Sequence, residues 1–151
     1  MKKNIRGIVD YYVKKYNTRN PFILASNLNV EVQIGDMGNR SGCYMFLKNH
    51  RCIFLNENLS DTEKQLVMAH ELGHAIMHRK QNCYFIRSKT LLLNSKTERE
   101  ANLFAAELLI EDEILIEHRD YTLEQLARLT GYEEKLLELR LKNTNIIIDT
   151  N

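Results

Sequence analysis

Apolar residues recur along the first third of the chain in two rhythms. From Ile5 to Tyr16 they fall at Ile5, Ile8, Val9, Tyr12, Val13 and Tyr16, the spacing of one helix face. Asn20 before Pro21 has the form of an N-cap followed by proline at the first helical position, which predicts a short helix to about Asn27. The period then drops to two. VEVQI (Val30–Ile34) alternates apolar and polar positions, the pattern of a half-buried strand. After the loop GDMGNRSG, two apolar runs, CYMFL (43–47) and RCIFL (51–55), flank the turn KNHR (48–51) and predict a hairpin.

The helical period returns at residues 60–79, where Ser60 or Asp61 can cap and Leu66, Val67, His70 and His74 share a broad face beside Met77. NCYFIRSKTLLLNS is ambiguous between strand and loop. A second long helix is predicted at 97–111, and two short C-terminal helices at 121–142 turn about Gly131. The order is therefore N-terminal helices (1–29), sheet (30–56), then helices. It predicts an α+β fold in one domain over 1–151, with a small three-stranded antiparallel sheet packed on a helical bundle.

Composition narrows the function. The 21 basic and 20 acidic residues leave a net charge of +1, and no block of one sign stands out. Nothing in that balance points to nucleic acid or a membrane surface. The tail LEQLARLTGYEEKLLELRL has a superficial helix-turn-helix outline, but its second helix carries Glu133, Glu134 and Glu138, which phosphates repel. No window approaches 18 apolar residues, and Asp10, Lys14 and Lys15 interrupt the N-terminal segment, so neither a transmembrane helix nor a signal peptide is expected. The three cysteines, Cys43, Cys52 and Cys83, form no CxxC pair and make an odd number, which fits a reducing cytoplasm.

The chemistry concentrates in AHELGHAIMH (69–78). His70 and His74, four apart, project from one helix face and can share one ion. Zinc takes neutral imidazole nitrogens at about 2.0–2.1 Å and, in catalytic sites, keeps one of four positions for water. Glu71 sits about 100° round the helix from His70, placed to act as general base beside the ion and not on it. A bare HExxH arises by chance in on the order of one chain in a few hundred of this length, so a third ligand is the necessary corroboration. Met77 and Lys80 break the HExxHxxGxxH pattern. His78 is expected to be a helix-end bystander, because three ligands along one straight helix do not surround an ion.

A carboxylate from the 97–111 helix is the better source. Glu98 lies at the edge of the apolar stripe of Ala101, Phe104, Ala105, Leu108 and Leu109. Glu100 lies about 200° round from Glu98, with Glu107 and Glu111, and reads as a solvated charge; it is the alternative ligand. Asn102, one turn beyond Glu98, points the same way and can brace a ligand. Cys83 is a further thiol that could approach the ion, and Tyr84 and His118 are candidate oxyanion donors.

HELGH after RCIFLNENLSDTEKQLVMA, then EREANLFAAELL about 24 residues on, resembles the ImmA/IrrE metallopeptidases over roughly Pro21 to Leu141. The resemblance implies a gluzincin-like, zincin-type active-site helix, with His70 and His74 on zinc and Glu71 as base. It implies Glu98 as third ligand within an ExxxD-like motif, which here ends in Asn102. LLIE stands where the family often has LLMP. It also implies a protein substrate, a helix-turn-helix repressor of a phage or mobile element, cleaved to release the genes it silences. Substrate would add as a strand beside the metal, with the 43–47/51–55 hairpin as the expected edge. The competing expectation is a zinc-stabilised module that binds a repressor without cutting it.

Overall fold

The computed structural model of the protein describes residues 3–85 and 95–144. The side chains of Cys83 and Tyr84, and the ambiguous stretch from residue 86 to 94, lie outside the described residues. The elements run α1 (Ile5–Tyr16), α2 (Pro21–Asn27), β1 (Glu31–Gly35), β2 (Gly42–Leu47), β3 (His50–Asn56), α3 (Asp61–Met77), β4 (Cys83–Phe85), α4 (Lys96–Leu109), α5 (Asp112–Glu117), α6 (Leu123–Thr130) and α7 (Glu134–Lys142).

Local chemistry accounts for most boundaries. Asn20 accepts hydrogen bonds from the Phe22 and Ile23 amides, with Pro21 opening α2. Ser60 accepts from the Glu63 amide to start α3, and Ser95 from the Glu98 amide to start α4. Thr122 and Gln125 form a reciprocal capping box on α6, which ends at Gly131 in the left-handed region, φ 79°. The hairpin turn is tighter than the apolar runs suggest. Lys48 and Asn49 both have positive φ, 49° and 64°, so a two-residue turn joins Leu47 to its partner His50.

The fold is α+β as expected, but the sheet is a mixed one of four strands in the order β1-β3-β2-β4. β1 runs parallel to β3, with Glu31 opposite Cys52, while β2 is antiparallel to both β3 and β4. Burial explains the order. β3 buries Cys52, Ile53, Leu55 and Asn56 and takes an inner position, whereas Glu31, Gln33 and Ile34 of β1 stay exposed at the rim. Alternation along a strand reports which face is covered and leaves the choice of neighbour open. The hairpin is consequently not the sheet edge it was expected to be. β3 is interior, and β2 is paired with β4 over Gly42–Tyr44.

α3 and α4 pack together at the centre. Every residue of α3 from Leu66 to Ala75 is buried, so the helix is covered all round and not on one broad face. The close approach rests on Gly73, where an added Cβ would lie 3.1 Å from the Cβ and ring of Phe104 on α4. α4 is enclosed as well, by α1 on one side and α7 on another. Glu100 and Glu107, expected as solvated charges, are therefore buried and paired. Glu107 accepts from Asn143 Nδ2 at 2.8 Å and sits 3.5 Å from Arg140 Nη1. Arg140, 1% exposed, also donates to the Ile110 carbonyl at 2.8 Å and pairs with Asp112. Hydrogen bonds from Arg6, with help from Arg140, hold the Asp112 carboxyl down at about 2.

Gly73→Val is expected to lower folding stability by about 1–3 kcal/mol, since its branches meet Phe104 in a filled interior. Gly73→Ala is expected to change it much less, because better helix propensity, about 1 kcal/mol, offsets the tighter contact. Denaturant melts of the two variants check this, and equal stabilities would contradict the close approach.

Candidate metal centre

α3 and α4 each contribute to one cluster. His70 and His74 sit one turn apart on α3, with ring centroids 4.8 Å apart and planes at 78°. Their Nε2 atoms are 3.2 Å from each other. Glu98, in the first turn of α4, closes the triangle, with Oε2 3.0 Å from His70 Nε2 and Oε1 3.0 Å from His74 Nε2. Four ligands at about 2.0–2.1 Å in a tetrahedron stand roughly 3.3 Å from one another, so these separations match its edges. The donor set suits a divalent ion: two imidazole nitrogens and a carboxylate, with a fourth direction left for water or substrate. Among the described residues, His70, His74 and Glu98 form the group that could hold a metal. Their side chains are 1%, 0% and 12% exposed.

The charges in this pocket are uneven. Burial pushes the Glu98 carboxyl up, but hydrogen bonds with His70 and His74 outweigh it and bring the carboxyl down to about 2. Burial lowers the His74 imidazole, against the opposing pull of Glu98. A neutral imidazole facing an anionic carboxylate is the protonation state a metal requires. Glu71 differs from both. It is 0% exposed, and neither carboxylate oxygen has a hydrogen-bond partner among the described residues. Burial, and then the charge of Glu98, raise its carboxyl well above the usual range. A buried carboxylate left in this way costs free energy that a structural role does not recover.

The remaining candidates separate clearly. Asn102 is buried, 1% exposed, one turn beyond Glu98. Glu100, the alternative ligand, turns elsewhere: its Oε1 is 3.0 Å from His78 Nε2 and 3.3 Å from Lys3 Nζ. His78 is no helix-end bystander. It is 6% exposed, and its Nδ1 is 2.9 Å from His74 Nδ1. His78 follows α3 as its C-cap, where the backbone leaves the helix (φ −128°) and lets the ring fold back on His74. His118 Nδ1 is engaged by the Ile114 carbonyl at 2.8 Å, and its ring packs on Tyr121. Cys43 and Cys52 are free and buried, as expected of small apolar side chains. The Cys43 thiol is pushed up to about 11 by burial and by the nearby Glu71. Sequence reasoning missed the His78–Glu100–Lys3 group. The spacing of four between His74 and His78 was a usable signal, whereas nothing local marks Lys3.

The model of the peptidase family described as the IrrE N-terminal-like domain matches residues 25–142. The chain is 36% identical over 139 residues to uncharacterized immunity region protein 2 of Bacillus phage phi105, covering 90% of this chain and 88% of that one. It is 31% identical over 121 residues to metallopeptidase ImmA of Bacillus subtilis strain 168, covering 79% of this chain and 70% of that one.

The raised Glu71 carboxyl has a sign that can be checked. The folded state holds this proton more tightly than the unfolded chain, so the contribution of Glu71 to stability is fully present below its unfolded value, near 4.5, and is lost as pH rises toward its folded value. In metal-free protein, Glu71→Gln is expected to become increasingly more stable than the parent as pH rises from 4.5 to 8, by at least about 1 kcal/mol at the upper end. Thermal melts across that range measure it, and a constant difference would mean that Glu71 ionises normally.

Proposed function

The chain belongs to the peptidase family of the IrrE N-terminal-like domain, and from that membership we propose that it is a zinc-dependent endopeptidase that cleaves a helix-turn-helix repressor of a phage or mobile element and so acts as an anti-repressor. The observation that carries the enzymatic reading is Glu71, a buried carboxylate beside the His70–His74–Glu98 cluster with no hydrogen-bond partner among the described residues.

His70 and His74 present neutral nitrogens from one helix face, and Glu98 presents an anionic oxygen from the other helix. Zinc bound there would polarise the scissile carbonyl and bring the pKa of a water toward about 7, and other divalent ions suit the same donor set. Glu71 is the general base: it accepts a proton from the attacking water and passes it to the departing amine. Burial, and then the charge of Glu98, raise the proton affinity of its carboxyl, which favours acceptance of that proton. Asn102, buried one turn from Glu98, is the proposed brace that fixes ligand orientation.

The substrate class draws on the phage relative, whose name places it in an immunity region, and on the relative named as a metallopeptidase. A cytoplasmic location accords with a repressor target and with the free thiols of Cys43 and Cys52. Among the described residues, no helix is long and apolar enough to cross a membrane.

The test is to incubate the zinc-loaded protein with the repressor encoded beside its gene and to measure intact masses. A single cut is expected, slowed by about 10²–10⁴-fold in Glu71→Gln with zinc content unchanged, and abolished together with zinc in His74→Ala. Tight binding of the repressor without any cut, across several divalent metals, would replace this reading with that of a non-catalytic binding module.

A further inference from the structure

His74 has two ring nitrogens with separate tasks. Nε2 faces His70 and Glu98, and Nδ1 lies 2.9 Å from His78 Nδ1. Beyond it, His78 Nε2 is 3.0 Å from Glu100 Oε1, which Lys3 Nζ approaches at 3.3 Å. The rings involved are buried, His74 at 0% and His78 at 6% exposed, so water does not compete freely for these contacts.

We propose that His78, backed by Glu100 and Lys3, is a positioning residue that holds His74 through Nδ1 and favours the tautomer a metal needs. The proposal rests on the reading that His70, His74 and Glu98 hold an ion. The hydrogen count allows one assignment. A lone pair offered to an ion at His74 Nε2 requires the His74 proton to sit on Nδ1. Nδ1–H must then donate to His78 Nδ1, which has to be the unprotonated nitrogen of that ring. The His78 proton is thereby placed on Nε2, where it donates to Glu100 Oε1, and Glu100 stays anionic beside Lys3. The alternative tautomer of His74 would put a hydrogen on Nε2, where it can donate to Glu98 Oε1 at 3.0 Å but blocks the lone pair an ion needs, and would set two lone pairs, His74 Nδ1 and His78 Nδ1, against each other or reverse the whole chain. A reversed chain would turn a His78 lone pair toward the Glu100 carboxylate, which is repulsive. Glu98 and Glu100 therefore draw the His74 proton toward opposite nitrogens, and Glu100, acting through His78, favours the pattern that leaves Nε2 open to an ion. Partners of this kind on metal-ligating histidines change metal affinity by about 10–100-fold when removed.

The test measures zinc affinity by competition with a chromophoric chelator, alongside a long-range nitrogen–proton NMR spectrum that reads the His74 tautomer in metal-free protein. His78→Leu is expected to bind zinc about 10–100-fold more weakly and to shift metal-free His74 from the Nδ1–H toward the Nε2–H tautomer. His78→Asn, whose side-chain oxygen falls near the position of Nδ1, is expected to keep the acceptor and retain affinity within about threefold. Should His78→Leu fail to fold, His78→Asn decides the matter alone: affinity within about threefold of wild type supports the proposal, and a loss of about tenfold or more overturns it. Equal zinc affinity, or equal His74 tautomer populations, in wild type and a folded His78→Leu overturns the proposal while leaving the metal site standing. If His74→Ala binds zinc as tightly as wild type, the metal reading itself fails and this proposal falls with it.

Discussion

The close contact of α3 with α4 is the constraint on which the rest depends. Gly73 lies between the two histidines and faces Phe104 where no side chain fits without displacement. That approach brings the first turn of α4 against the middle of α3, and Glu98 reaches both imidazoles at 3.0 Å. A helix pair held further apart would place the carboxylate beyond the span of one ion. The site is thus a consequence of packing between two helices, and its precision comes from a filled interior that tolerates few other arrangements.

Enclosing that contact has an electrostatic consequence. α3 is buried on all sides and α4 nearly so, and both carry ionisable residues into the interior. Most are paired: Glu98 with His70 and His74, Glu100 with His78 and Lys3, and Glu107 with Arg140 and Asn143. Glu71 stands apart because both of its oxygens lack a partner among the described residues. The contrast is what supports the proposed role of Glu71 as general base, since the fold satisfies its other buried carboxylates in this region and not this one.

The two helices also show where reading along a chain stops short. Cap residues and apolar spacing placed α1 and α2 almost to the residue, and α6 and α7 as a pair turning about Gly131, because those signals act within a turn or two. They failed for Glu100 and Glu107, which a helical wheel assigns to solvent. The wheel assumes one covered face, and α4 is packed by α1, α3 and α7 together. His78 was misjudged for a similar reason. Extending α3 straight carries the ring away from the ion, whereas the chain leaves the helix at that residue and the ring turns inward. α5 gave no clear sequence signal, and it is only six residues long, with no side-chain hydrogen bond at its cap.

By itself the sequence determined the helix pair, the spacing of His70, Glu71 and His74, and the preference for Glu98 over Glu100, all consequences of local periodicity and donor chemistry. Tertiary structure decided what local signals do not carry. β3 went inside, where Cys52, Ile53, Leu55 and Asn56 are buried, and its parallel pairing with β1 made the sheet mixed and moved the hairpin off its edge. Glu100 and Lys3, 97 positions apart, met behind His78 because α1 packs on α4. Neighbours in space are chosen by the burial and charge of the whole chain at once, and no window of the sequence contains that sum.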